Sequence, residues 1–146
     1  MNLLVLHGPN LNRLGHREPE IYGHWSLEEI DQSLKHLAVE LGLSLDAYQS
    51  NHEGELIDRI QESEHVDAFL VNAGGLTHTS VSLRDALTGT GKPFVEVHCS
   101  NLAAREEFRQ RSLLAPVAVG TVQGFGPESY RLGLRALAFE LARRKG

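Results

Sequence analysis

Leu3-Leu-Val-Leu6 runs into Gly8-Pro-Asn-Leu-Asn-Arg-Leu-Gly-His-Arg-Glu-Pro-Glu-Ile-Tyr-Gly23, and a helix start is marked just beyond it at Ser26-Leu-Glu-Glu29. The apolar run reads as a buried strand. Ser26 with Glu29 three residues later is a capping box. Strand, connection, helix is the opening of an α/β unit, yet such connections usually take only ~2–6 residues. This one is much longer and has no apolar period of its own. Long loops in compact chains are lids, binding loops or disordered segments. Arg17 and Tyr22 make the lid reading testable.

The same alternation continues through the chain. Leu27, Ile30, Leu34, Leu37 and Leu41 share one helical face, and Gly42 is a natural stop. Leu43–Gln49 reads as a second strand and Glu53–Glu64 as a second amphipathic helix. Ala68-Phe-Leu-Val71 is a third strand, apolar throughout and so buried on both faces. Thr79–Thr88 reads as a helix, Phe94-Val-Glu-Val97 as a fourth strand and Ala103–Arg111 as a short helix. Val117–Val122 reads as a fifth strand. Tyr130, Leu134, Leu137 and Leu141 mark the face of a closing helix. Five strands alternating with helices predict a parallel sheet covered on both faces, and residues 1–146 read as one domain.

Composition narrows the function. The chain has 146 residues, of which 41% are hydrophobic and 23% charged, as in ordinary globular proteins. A net charge of −5 argues against a broad nucleic-acid footprint, while local arginines can still hold a small anion. The single cysteine, Cys99, leaves no disulfide framework and suits a reducing compartment. No apolar stretch approaches the ~20 residues of a membrane span. The first residues do not read as a secretory signal. The expectation is therefore a cytoplasmic protein without membrane or nucleic-acid partners.

In open parallel sheets, ligands bind beyond the carboxyl ends of the strands. Those ends are where the polar residues gather. Asn10, Arg17 and Tyr22 follow the first strand, and Asn51, His52 and Glu53 the second. The third is followed by Asn72-Ala-Gly-Gly-Leu-Thr-His-Thr-Ser80, the fourth by His98-Cys-Ser-Asn101 with Arg105 and Arg109 beyond. The Gly-rich turn admits two readings: an anion-binding turn at a helix N-terminus with His78 as a ligand, or a tight turn with Thr79 as helix cap. It lacks the Gly-Lys-Ser/Thr of a P-loop and the dinucleotide fingerprint. Glu96 and His98 share one side of a strand. That pair can fix a catalytic histidine's tautomer, or serve as a structural strand-end contact. A guanidinium at Arg17 would favour the phenolate of Tyr22 and make it a general base; the alternative is a tyrosine that anchors the lid by packing. There is no His-Glu-x-x-His motif and no second cysteine for a metal, no Gly-x-Ser-x-Gly elbow, and only Lys35, Lys92 and Lys145 to form an imine.

Taken together, several motifs in order resemble the type II 3-dehydroquinate dehydratases. They are Gly8-Pro-Asn-Leu-Asn12, Arg17-Glu-Pro-Glu-Ile-Tyr-Gly23, Gln49-Ser-Asn-His-Glu-Gly54, Asn72–Ser80, Leu83-Arg-Asp85, Glu96-Val-His98 and Arg105-Glu-Glu-Phe-Arg109. The resemblance implies a flavodoxin-like fold, sheet order 2-1-3-4-5. It also implies dehydration of 3-dehydroquinate to 3-dehydroshikimate in the shikimate pathway, with no cofactor, metal or covalent imine. On that resemblance, Tyr22 is the base and Arg17 holds it as phenolate. Asn10 positions a water at the enolate oxygen, and His98, supported by Glu96, is the acid. Asn72, His78, Ser100 and Arg109 correspond to ligands of substrate hydroxyls and carboxylate, with the amides of Cys99 and Leu102 assisting. Asp85 corresponds to a residue reaching a neighbouring subunit's site, in a dodecamer built from trimers. The chain departs from the family pattern at His7, where asparagine is usual, at Cys99 and at Arg59. A non-enzymatic flavodoxin-like module that binds a small acid or a protein partner is the alternative.

Overall fold

The computed structural model describes residues 1–16, 20 and 24–145. Five strands, β1 (Asn2–His7), β2 (Ser44–Gln49), β3 (Ala68–Asn72), β4 (Phe94–His98) and β5 (Gly120–Gln123), form one sheet in the order β2-β1-β3-β4-β5. Every pairing is parallel. Among the described residues the α-helices are α1 (Leu27–Glu40), α2 (Glu53–Gln61), α3 (Val81–Gly89) and α4 (Glu128–Lys145). The all-parallel sheet is the one expected from the alternation of elements, and its order is the flavodoxin-like one that the family resemblance implies.

The period of two along each strand divides the core. Leu3 and Val5 of β1, Leu70 of β3, and Val95 and Val97 of β4 face α1 and α4, where Leu34, Leu37, Leu134 and Leu137 meet them. Leu4, Leu6, Phe69, Val71 and Phe94 pack on the other side with Leu56 and Ile60 of α2 and Leu83 and Leu87 of α3. Both faces are therefore filled. Most of the polar side chains of the sheet gather toward the strand ends.

Helix boundaries follow local chemistry. Ser26 Oγ accepts the Glu29 N–H at 3.1 Å, as the capping box requires. At the other end of α1, Gly42 takes φ +73° and Leu43 N–H reaches back to Ala38 O at 2.8 Å, which closes the helix. The cap of α3 is Ser80, not Thr79: Ser80 Oγ accepts the Leu83 N–H and donates to Glu53.

Two segments differ from the sequence reading. Residues 103–111 do not form one helix but two short 3-10 turns, Leu102–Ala104 and Glu107–Arg109, with Arg105 extended between them. The Asn101 side chain accepts the Ala103 N–H and Gln110 donates to Arg105 O, so side chains satisfy backbone groups that a helix would pair internally. The fifth strand starts at Gly120, not Val117. Ala115–Val117 is a 3-10 turn because Ser112 Oγ accepts the N–H groups of Leu114 and Ala115.

Candidate active site

β1 and β3 are neighbours although not consecutive in sequence, and the chain leaves them in opposite directions. Their carboxyl ends therefore separate and open a crevice. A cleft of about 160 Å³ lies there, lined by residues that include Asn10, Asn72, His78, His98, Ser100 and Arg109. Gly8 brings its two walls together: an added Cβ would sit 2.2 Å from the carbonyl oxygen of Ala73. With no side chain there, Gly8 N–H donates to Asn72 O at 2.8 Å, and the turn after β1 lies directly on the turn after β3.

Asn10 sits at the apex of that first turn with φ +71°, the left-handed region in which asparagine is tolerated better than most residues. Its N–H donates to Asn51 Oδ1 at 2.9 Å. Gln49 Nε2 donates to the same oxygen and to Gly8 O, so the end of β2 holds the turn in place. Thus Asn51, from the second strand end, supports the cleft without lining it.

His98 and Glu96 form a buried pair at the end of β4. His98 Nε2 lies 2.5 Å from Glu96 Oε2, and both side chains are buried. Glu96 also accepts the hydroxyls of Thr77 and Ser112. Burial pushes its carboxyl pKa up. The hydrogen bond and charge of His98 and the two hydroxyls outweigh that and hold it below the ordinary 4.5. An ionised carboxylate therefore takes the Nε2 hydrogen and leaves His98 Nδ1 as the nitrogen open to a ligand. Once Nδ1 is itself protonated, that geometry can deliver its proton to a leaving group.

The remaining lining groups supply further donors and acceptors to the cleft. His78 Nδ1 donates to Arg111 O at 2.8 Å, so Nε2 is the nitrogen left to face the cleft. Arg105 Nε lies 3.6 Å and Arg109 Nε 3.1 Å from the carboxylate of Glu106, and both arginines line the cleft. Burial pushes the Cys99 thiol up to about 12, so at neutral pH it is an uncharged lining group.

A family model described as dehydroquinase class II matches residues 1–138. The chain belongs to that family. It is 51% identical over 146 residues to the 3-dehydroquinate dehydratase of Prochlorococcus marinus strain MIT 9515, covering 99% of this chain and 100% of that protein. It is 55% identical over 136 residues to that of Bordetella avium strain 197N, covering 92% and 94%. Among solved structures, the type II dehydroquinase from Butyrivibrio crossotus DSM 2876 superposes with a TM-score of 0.91 at 40% identity, over 94% of this chain and 97% of that one.

Against the residues expected for this dehydroquinase family, the cleft gathers Asn10, Asn72, His78, His98, Cys99, Ser100, Leu102 and Arg109, with Glu96 behind His98. Arg17 and Tyr22 lie outside the described residues. Asp85 does not line the cleft; it borders a separate cavity of about 530 Å³ with Ile60, Gly89 and Lys92. The Leu102 N–H donates to Gln123 Oε1 at 2.8 Å, so a ligand reaches that amide only by displacing Gln123. The N-terminus of α3, for which an anion site was one of two readings, is occupied by Ser80 with Glu53, and the cleft receives Gly74, Gly75 and His78 from the turn before it. Sequence reasoning missed Thr77 and Ser112 on Glu96. Thr77 stands inside the quoted Gly-rich motif, whereas Ser112 carries no sequence signal and is found only through the fold.

Proposed function

We propose that this chain is a 3-dehydroquinate dehydratase acting by acid–base elimination through an enolate in the shikimate pathway. The observation that carries the reading is the buried Glu96–His98 pair, with a free imidazole nitrogen, in a cleft lined by hydroxyl and carboxylate ligands. The substrate is a β-hydroxy ketone. Its carbonyl acidifies the adjacent C–H, so one base and one acid suffice, and the reaction needs no metal or cofactor.

Tyr22, as a phenolate held by Arg17, removes the proton alpha to the ketone. The electron pair moves onto the carbonyl oxygen as an enolate, beside which Asn10 holds a water. As the enolate collapses, the C1–O bond breaks and His98 Nδ1–H protonates the departing hydroxyl, releasing water. Glu96 stabilises the imidazolium before this step. Asn72, His78 and Ser100 bind hydroxyls, and Arg109 pairs with the carboxylate, assisted by the amides of Cys99 and, after Gln123 yields, Leu102. Asp85, directed away from its own cleft, reaches the site of a neighbouring copy in a dodecamer of trimers, and the enzyme works in the cytoplasm. A non-enzymatic module is not favoured, because the relatives that span nearly the whole chain carry the dehydratase name.

Purified protein given 3-dehydroquinate should produce the ultraviolet absorbance of a conjugated enone. Tyr22→Phe should nearly abolish turnover while the assembly stays intact, and near-normal turnover refutes the base assignment. Borohydride with substrate should leave activity untouched; rapid inactivation would instead mean an imine on lysine.

A further inference from the structure

Behind the cleft lies a row of hydrogen bonds that the dehydration mechanism does not use. It runs Asp31 (α1), His7 (end of β1), Tyr130 (α4), Asn72 (end of β3). Asp31 Oδ1 is 2.7 Å from His7 Nε2, His7 Nδ1 is 2.9 Å from Tyr130 Oη, and Tyr130 Oη is 2.9 Å from Asn72 Nδ2. His7 and Tyr130 are fully buried, and Asp31 is partly open to solvent.

The direction of every bond follows from one end. The backbone N–H of Gly74 can only donate, and it lies 3.1 Å from the Asn72 side chain, so Oδ1 must face it. The Asn72 amino group then faces Tyr130 and donates to its oxygen. The Tyr130 hydrogen is left for His7 Nδ1, which must be bare. His7 therefore carries its hydrogen on Nε2 and gives it to Asp31. Burial pushes the Tyr130 phenol well above its ordinary 10, which keeps that hydrogen in place.

We propose that Asp31, His7 and Tyr130 are positioning residues that lock the Asn72 carboxamide, so that its one unused N–H and its remaining lone pair are presented to a substrate hydroxyl. A free asparagine side chain rotates through both amide orientations. Here the reverse orientation would set N–H against N–H at Gly74 and leave Tyr130 Oη without its donor. The network thus fixes the order of donor and acceptor that a bound polyol meets. This rests on the dehydratase reading of the cleft.

A double-mutant cycle on kcat/KM tests it. Tyr130→Phe removes one oxygen and keeps the ring. It should lower kcat/KM about tenfold, the worth of roughly one hydrogen bond, chiefly through KM. On the Asn72→Ala background the same change should cost less than twofold, because the residue it acts through is gone. A tenfold loss on both backgrounds overturns the proposal, since a general packing defect would be additive. If Tyr130→Phe does not fold, the unsubstituted protein still decides: 15N spectra should show the His7 hydrogen on Nε2 with Nδ1 bare, and hydrogen on Nδ1 overturns the proposal. An unsubstituted protein that leaves 3-dehydroquinate unchanged refutes the dehydratase reading, while the His7 tautomer still judges the network.

Discussion

Replacing Glu96 by glutamine keeps shape and volume and removes one charge. The carboxylate accepts from three donors: His98 Nε2 and the hydroxyls of Thr77 and Ser112. A carboxamide has one acceptor oxygen. Set where Oε2 now lies, it can keep His98 and Thr77 as neutral bonds. Its amino group then faces Ser112 Oγ, whose lone pairs already receive the N–H groups of Leu114 and Ala115. One buried N–H is left unsatisfied, at about 1–3 kcal/mol. The bond to His98 falls from charge-assisted to neutral, about 1–2 kcal/mol more. The variant should lose about 2–5 kcal/mol of stability, a drop of roughly 4–20 °C in thermal midpoint for a chain of this length. Only the charge contribution is felt by the imidazolium in turnover, so kcat should fall about 5- to 30-fold. Both numbers come from one preparation: circular dichroism gives the melt, and enone absorbance gives kcat well below it. A kcat within twofold of the unsubstituted enzyme, with an unchanged melt, refutes the view that Glu96 is an ionised partner of His98.

Because the Glu96 carboxyl is held below 4.5, its contribution to stability is complete above that value and lost as pH falls through the lower folded-state value. The stability gap between the unsubstituted protein and Glu96→Gln should therefore narrow below about pH 4.5 in acid titrations, and a gap that widens would contradict this. Gly8→Ala would force a Cβ against the Ala73 carbonyl, so a loss of about 1–3 kcal/mol is expected in denaturant melts; an unchanged midpoint refutes the close approach. Cys99, buried and pushed up to about 12, should react with an aromatic disulfide at pH 8 only as fast as the protein opens. Labelling at the rate of a free thiol would show that it is exposed.

The fold was legible because apolar periodicity is a local signal. Ala68–Val71 could only be a strand buried on both faces, and Leu34 and Leu37 could only share one stripe of a helix. Where polar side chains compete for the backbone the reading fails: Ala103–Arg111 reads as a short helix, yet Asn101 and Gln110 take its N–H and C=O groups and break it into turns. Boundaries shifted for the same reason. Ser112 draws Leu114 and Ala115 into a turn and delays β5 to Gly120.

The site divides along the same line. Residues that line the cleft sit at or just beyond strand ends, so position alone gathered His98, Asn72 and Asn10 at one edge of the sheet, while their separate roles came from the family resemblance. Those that hold them in place come from far along the chain: Ser112 sits 16 residues beyond Glu96, Asn51 lies 41 beyond Asn10, and Tyr130 is 58 beyond Asn72. Nothing local distinguishes such a serine or tyrosine from any other. Their alignment is set by the sheet order, which brings β1 between β2 and β3 and lays α4 across β3 and β4. A cleft at the β1/β3 switch point therefore gets its lining groups from adjacent strand ends and the hydrogen bonds that hold them from distant elements. Substitutions in the second set should alter catalysis only through the first, which is why non-additivity, and not loss of activity alone, identifies them.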